Sequence, residues 1–136
     1  GWHMEMAREL AAWVDAEPDA ERLAPVPFST VCLRWRPAAW IGREADPAVS
    51  SALDSLNAQL MDAVNATGEV FLSHTRLDGR FTIRVAINHI RTERRHIERA
   101  WELITEHGRR LAPTMPEALA SSEVAADVQG PVDRLA

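Results

Sequence analysis

The Asp78-Gly79 dipeptide constrains the fold of this chain more than any other feature, because it joins two runs whose apolar residues alternate. Both central residues of a tight two-residue hairpin turn take positive φ, which aspartate tolerates and glycine adopts freely. Residues Glu69 to Ile87 are therefore expected to form a β-hairpin with Leu77 and Arg80 flanking the turn. Side chains alternate along a strand, so this register puts Phe81, Ile83, Val85 and Ile87 on one face with Leu72 and Val70. Arg84 then stands opposite Ser73 on the other face.

A lone hairpin is barely stable in water, and the flanking segments carry what would cover its apolar face. From Trp2 to about Glu17, Met6, Leu10, Trp13 and Val14 recur at helical spacing until Pro18 stops the pattern. Between Glu21 and Pro37, Pro25 and Pro27 separate a short extended piece from a longer one, Phe28 to Arg36. In the longer piece Val31, Leu33 and Trp35 alternate with Thr30, Cys32 and Arg34. Residues 37 to 47 read as a loop that leaves Trp40 without a pattern to bury it, so Trp40 is expected to contact another domain or subunit.

Asp46 followed by Pro47 marks a helix start, and Val49, Leu53, Leu56, Leu60 and Val64 form one stripe before Gly68 closes the element. A third helix is expected from Thr92, with Ile97, Ala100, Trp101 and Ile104 aligned, ending near Gly108. The fold class that follows is α+β: a mostly antiparallel sheet of about four strands with helices on one face. Arg34 and Arg84 belong to the face left over. Residues 1–20 are expected to be a linking helix, 21–112 the compact body and 113–136 a polar tail.

A net charge of −5 and a pI near 5.5 give no basic surplus for phosphates or anionic lipid, so neither nucleic acid nor a membrane is expected as a partner. Cys32 is the only cysteine and has no internal partner. No apolar run is long enough to span a bilayer and no signal-peptide pattern opens the chain, which together point to the cytoplasm. All 15 basic residues are arginines, so the chain has no lysine. An imine bond to a carbonyl cofactor needs a neutral primary amine, and guanidinium stays protonated. The N-terminal amine is the one alternative.

Around the hairpin stand Phe71-Leu72-Ser73-His74-Thr75, Gly79-Arg80-Phe81-Thr82-Ile83-Arg84-Val85-Ala86-Ile87, Arg91-Thr92-Glu93, His96 and Ala100-Trp101. Upstream stand Leu23-Ala24-Pro25-Val26-Pro27-Phe28-Ser29, Val31-Cys32-Leu33-Arg34 and Leu56-Asn57. In this order and spacing they resemble the aromatic-L-amino-acid decarboxylase family, over residues 4 to 107. The resemblance implies the C-terminal small domain of an aspartate-aminotransferase type fold. It also implies a homodimeric, cytoplasmic enzyme that uses pyridoxal phosphate (PLP) to remove carbon dioxide from an amino acid, aromatic in that family. The cofactor lysine of that family, its pyridinium-binding aspartate and its ring-stacking histidine lie in the large domain. This chain is thus expected to partner such a domain, to bind no PLP alone and to be inactive alone.

Two substrate-site residues are carried over from the resemblance. Arg84 looks like the arginine that approaches the substrate carboxylate, a task suited to the parallel donors of a guanidinium fork. The competing reading is an ion pair with an acid across a domain boundary. Asn88, just after this strand, stands where relatives commonly have glycine. His74 resembles a histidine near the active site or dimer contact, against which stands ordinary packing on a strand. His89, His96 and His107 lack the one-turn spacing of a zinc pair, Cys32 has no activating base, and Arg91, Arg94, Arg95 and Arg99 alternate with Glu93, Glu98 and Glu102 as a solvated face. Two other functions fit the same pattern: a stand-alone small-ligand-binding module and a dimerisation module without a ligand.

Overall fold

The turn forms as its dipeptide requires, with φ of 51° at Asp78 and 75° at Gly79. It joins two antiparallel strands, β1 (Ser73–Leu77) and β2 (Arg80–Ala86), in the expected register, with Leu77 opposite Arg80 and Ser73 opposite Arg84. The computed structural model describes residues 2–25, 29–87 and 92–112. For labels in chain order we name the helices α1 (Trp2–Ala16), α2 (Pro47–Ala66) and α3 (Arg94–Leu111). The two upstream strands, Ala20–Arg22 and Thr30–Trp35, are called βa and βb, and a 3-10 turn spans Ala38–Trp40.

The four strands lie in the order βa-βb-β2-β1, every neighbouring pair antiparallel. Val31, Leu33 and Trp35 of βb and Phe81, Ile83 and Val85 of β2 point to one face and enter one core with the helices. Helix α1 supplies Met6, Leu10 and Val14, α2 its expected stripe from Val49 to Val64, and α3 Ile97, Leu103 and Ile104. The expected α+β architecture with helices on one face is what the chain forms. Helix α2 starts as its sequence indicates, with the Asp46 carboxylate accepting from the Ala48 N–H at 2.9 Å and Pro47 in the first turn.

Helices α1 and α3 run side by side in the same direction. Glu9 on α1 pairs with Arg94 in the first turn of α3 at 2.6 Å, and Glu17, just past α1, pairs with Arg109 in its last turn at 2.6 Å. The ring of Trp35 lies against Gly108 so closely that a Cβ there would come within 2.5 Å of the indole. Glycine at 108 is therefore needed for close approach of α3 to the sheet, and it lies inside the helix rather than after its end.

Three local expectations need correction. Strand β1 begins at Ser73 and not near Glu69, because Asn65 of α2 occupies the backbone of Leu72: the Leu72 N–H donates to Oδ1 at 2.7 Å and Nδ2 donates to the Leu72 carbonyl at 3.0 Å. Helix α3 begins at Arg94 and not at Thr92, because Glu93 is extended and acts as the N-cap, its N–H donating to His96 Nδ1 at 2.9 Å. Trp40 is 5% exposed and belongs to the core. The 3-10 turn swings it inward, held by the Ala38 N–H donating to the Asp19 carboxylate at 2.7 Å. The segment 113–136, the turn at Asn88, and His89 and Arg91 lie outside the described residues.

Candidate functional site

The face of the sheet that the helices leave uncovered carries Thr30, Cys32 and Arg34 from βb, Arg80, Thr82, Arg84 and Ala86 from β2, and Ser73, Thr75 and Leu77 from β1. Its two arginines singled out by sequence have different fates. Arg34 is 3% exposed, and its Nε donates to the Glu21 carboxylate at 2.9 Å. Glu21 also draws Arg36 at 3.4 Å and Arg80 at 3.8 Å, and Arg36 reaches Glu44 at 3.7 Å. At this end of the face the guanidinium groups are thus tied to carboxylates.

Arg84 is not. Its side chain is exposed, and among the described residues it makes no ion pair or hydrogen bond. The residues across from it on the neighbouring strands, Cys32 and Ser73, are small, which leaves the planar fork open from above. Burial pushes the Cys32 thiol up from its usual range, with the positive charge of Arg84 pulling partly the other way. A thiol kept protonated is a poor nucleophile, so the face offers one exposed guanidinium and no activated attacking group.

His74 is on the other side of the sheet. It pairs in register with Ile83, whose side chain enters the core, and its ring stacks on Phe81 with centroids 4.6 Å apart and planes 11° apart. Arg84 and His74 therefore do not converge on one pocket of this chain. Sequence alternation could have separated them, since one sits at an odd and one at an even step from the turn. Among the described residues no group of three His, Cys, Asp or Glu side chains is placed to hold a metal ion, and no helix is long and apolar enough to cross a membrane. Nor do the residues fit a resident aldehyde cofactor: the uncovered face presents guanidinium, thiol and hydroxyl groups and no primary amine.

No family model matches the chain. It is 37% identical over 103 residues to a tryptophan decarboxylase of Camptotheca acuminata, an alignment covering 76% of this chain and 19% of that protein. To a tyrosine/DOPA decarboxylase of Papaver somniferum it is 31% identical over 107 residues, covering 77% of this chain and 21% of the relative. The crystal structure of Oryza sativa TDC with PLP and tryptamine superposes with a TM-score of 0.70 at 31% identity, over 80% of this chain and 22% of that one. The chain spans about one fifth of the length of the curated relatives it matches. In sequence and fold the chain is thus similar to the C-terminal small-domain part of aromatic amino-acid decarboxylases.

Proposed function

We propose that this chain is the small-domain part of a PLP-dependent amino-acid carboxy-lyase, with an aromatic amino acid as substrate, and that Arg84 binds the substrate carboxylate. The observation that carries the reading is the exposed guanidinium of Arg84, without a carboxylate partner among the described residues, on the sheet face that the helices leave bare. A carboxylate brought to it receives two parallel charge-assisted hydrogen bonds, which fix the orientation of the α-carbon substituents. The neighbouring arginines are held by Glu21 and Glu44 and do not compete for the anion.

PLP belongs to the larger domain in this reading and supplies the electron sink for loss of carbon dioxide. Arg84 orients, and the sheet face closes one side of the pocket. Residues 21–112 form the body that meets the large domain, the helix within 1–20 leads into it, and 113–136 trail from it. The enzyme is a cytoplasmic homodimer, and His74 lies nearer a packing contact than the substrate.

In the enzyme that contains this domain, Arg84→Ala is expected to raise KM for the amino acid about tenfold to a hundredfold, the worth of a lost charge-assisted pair. Arg84→Lys should recover part of that loss, and sedimentation should show the dimer intact. An unchanged KM with lowered thermal stability would identify Arg84 as a domain-boundary ion-pair residue and end the substrate assignment.

A further inference from the structure

On the opposite side of the molecule, between α1 and α3, lies a groove of about 470 Å³ walled by the indoles of Trp13 and Trp101 together with Pro18. Both tryptophans are half-buried and rest against the core, so their positions are fixed. The only charged side chains lining the groove are three carboxylates, Glu17, Glu98 and Glu102. Glu98 and Glu102 stand one helical turn apart on either side of Trp101. Their arginine partners do not line the groove: Arg109 holds Glu17 at 2.6 Å, Arg94 holds Glu98 at 3.0 Å and Arg99 holds Glu102 at 3.2 Å. The pairs of Glu98 and Glu102 are solvent-exposed and therefore weak, which leaves these two carboxylates able to take a second cation.

Two indole rings and a lining whose only charged side chains are carboxylates favour one ligand chemistry. An anion finds no cationic side chain in the lining. A neutral apolar molecule gains ring contact only, whereas an ammonium ion gains the attraction of the indole π-face, strongest for tryptophan, and that of the carboxylates. We propose that this groove binds an organic ammonium ion with a flat apolar body, the body against the indoles and the ammonium at the acidic rim. The inference stands on the groove and not on the decarboxylase reading, although the amine left when an amino acid loses carbon dioxide belongs to the same chemical class.

The test is a titration of the 136-residue chain with 2-phenylethylamine, followed through the indole N–H signals in a heteronuclear NMR spectrum. The signals of Trp13 and Trp101 should shift while those of buried Trp35 and Trp40 stay still and report an intact fold. Matched titrations with 2-phenylethanol and 3-phenylpropionate should show binding weaker by at least about twofold to fivefold, the worth of a surface cation–π contact. The double variant Glu98→Gln, Glu102→Gln should lose about fivefold in affinity for the amine and nothing for the alcohol. Equal binding of amine and alcohol would reduce the groove to an apolar crevice, and an amine that moves neither Trp13 nor Trp101 would remove the site. Neither result touches the KM of the Arg84 variant, so the two readings fail separately.

Discussion

Two titrating groups near the uncovered face are pushed in opposite directions by their surroundings. The Cys32 thiol is driven up by burial despite the charge of Arg84, in line with the inert cysteine that its sequence context suggested. At Glu44 burial also works against the charge. Hydrogen bonds from the N–H of Gly42 and from its own backbone, with the charges of Arg36 and Arg34, outweigh it and hold the carboxyl below the usual range. A carboxyl whose folded pKa lies below its unfolded value, about 4.3 for glutamate, adds stability above that value. The contribution fades as pH falls through the folded pKa. Glu44→Gln should therefore flatten the acid side of a plot of urea midpoint against pH below about 4.3 and leave the plot unchanged in shape above it. A variant whose acid slope matches the parent would show that neither the backbone N–H donors nor the arginine charges hold this carboxyl down. The depressed Glu44 was not legible in the sequence, where it is one acid in a loop whose path depends on the burial of Trp40.

At the scale of elements, α2 is joined to the sheet by side chains that take the place of a strand. Asn57, completely buried, accepts from the Trp35 N–H at 2.7 Å and donates to the Trp35 carbonyl at 2.9 Å, while Asn65 does the same for Leu72. Asp54 accepts from the Phe81 N–H at 2.9 Å. The three lie within one arc of the helix, so one face of α2 fixes the ends of βb and β1 and the start of β2. Removing the Asn57 amide strands two buried backbone groups of Trp35. Asn57→Ala is expected to cost about 2–4 kcal/mol, read as a lower urea midpoint with an unchanged slope. A loss below about 0.5 kcal/mol would mean that water replaces the amide. The helix itself was plain from its cap and its apolar stripe, and the hairpin from its turn. The bracket was not, because a polar residue flanking a stripe reads as solvent-facing until the strand it meets is known. The same limit explains the late start of β1: alternation continues through Glu69 to Leu72, but Asn65 has already taken the bonding groups that would extend the ladder.

For the whole molecule, a sheet covered on one face only leaves the chain with two unlike sides, an arginine-bearing sheet face and an acidic aromatic groove between helices. The first was visible in the alternation of βb and β2; the second was not, since Trp13 and Trp101 each read as core and only the parallel course of α1 and α3 brings them to one groove. The absence of lysine has a direct outcome. After mixing with PLP and gel filtration, the chain should elute without the visible absorbance of a bound cofactor, and a stoichiometric adduct fixed by borohydride would overturn that expectation. The parallel course of α1 and α3 also fixes where attachments sit. The Glu9–Arg94 pair sets the middle of α1 beside the first turn of α3 and Trp2 lies seven residues further back, so Trp2 and Leu111 are separated by more than the length of α3, about 27 Å for 18 residues at the standard rise. Dyes placed at positions 2 and 111 would therefore see each other across the long axis of the helix pair.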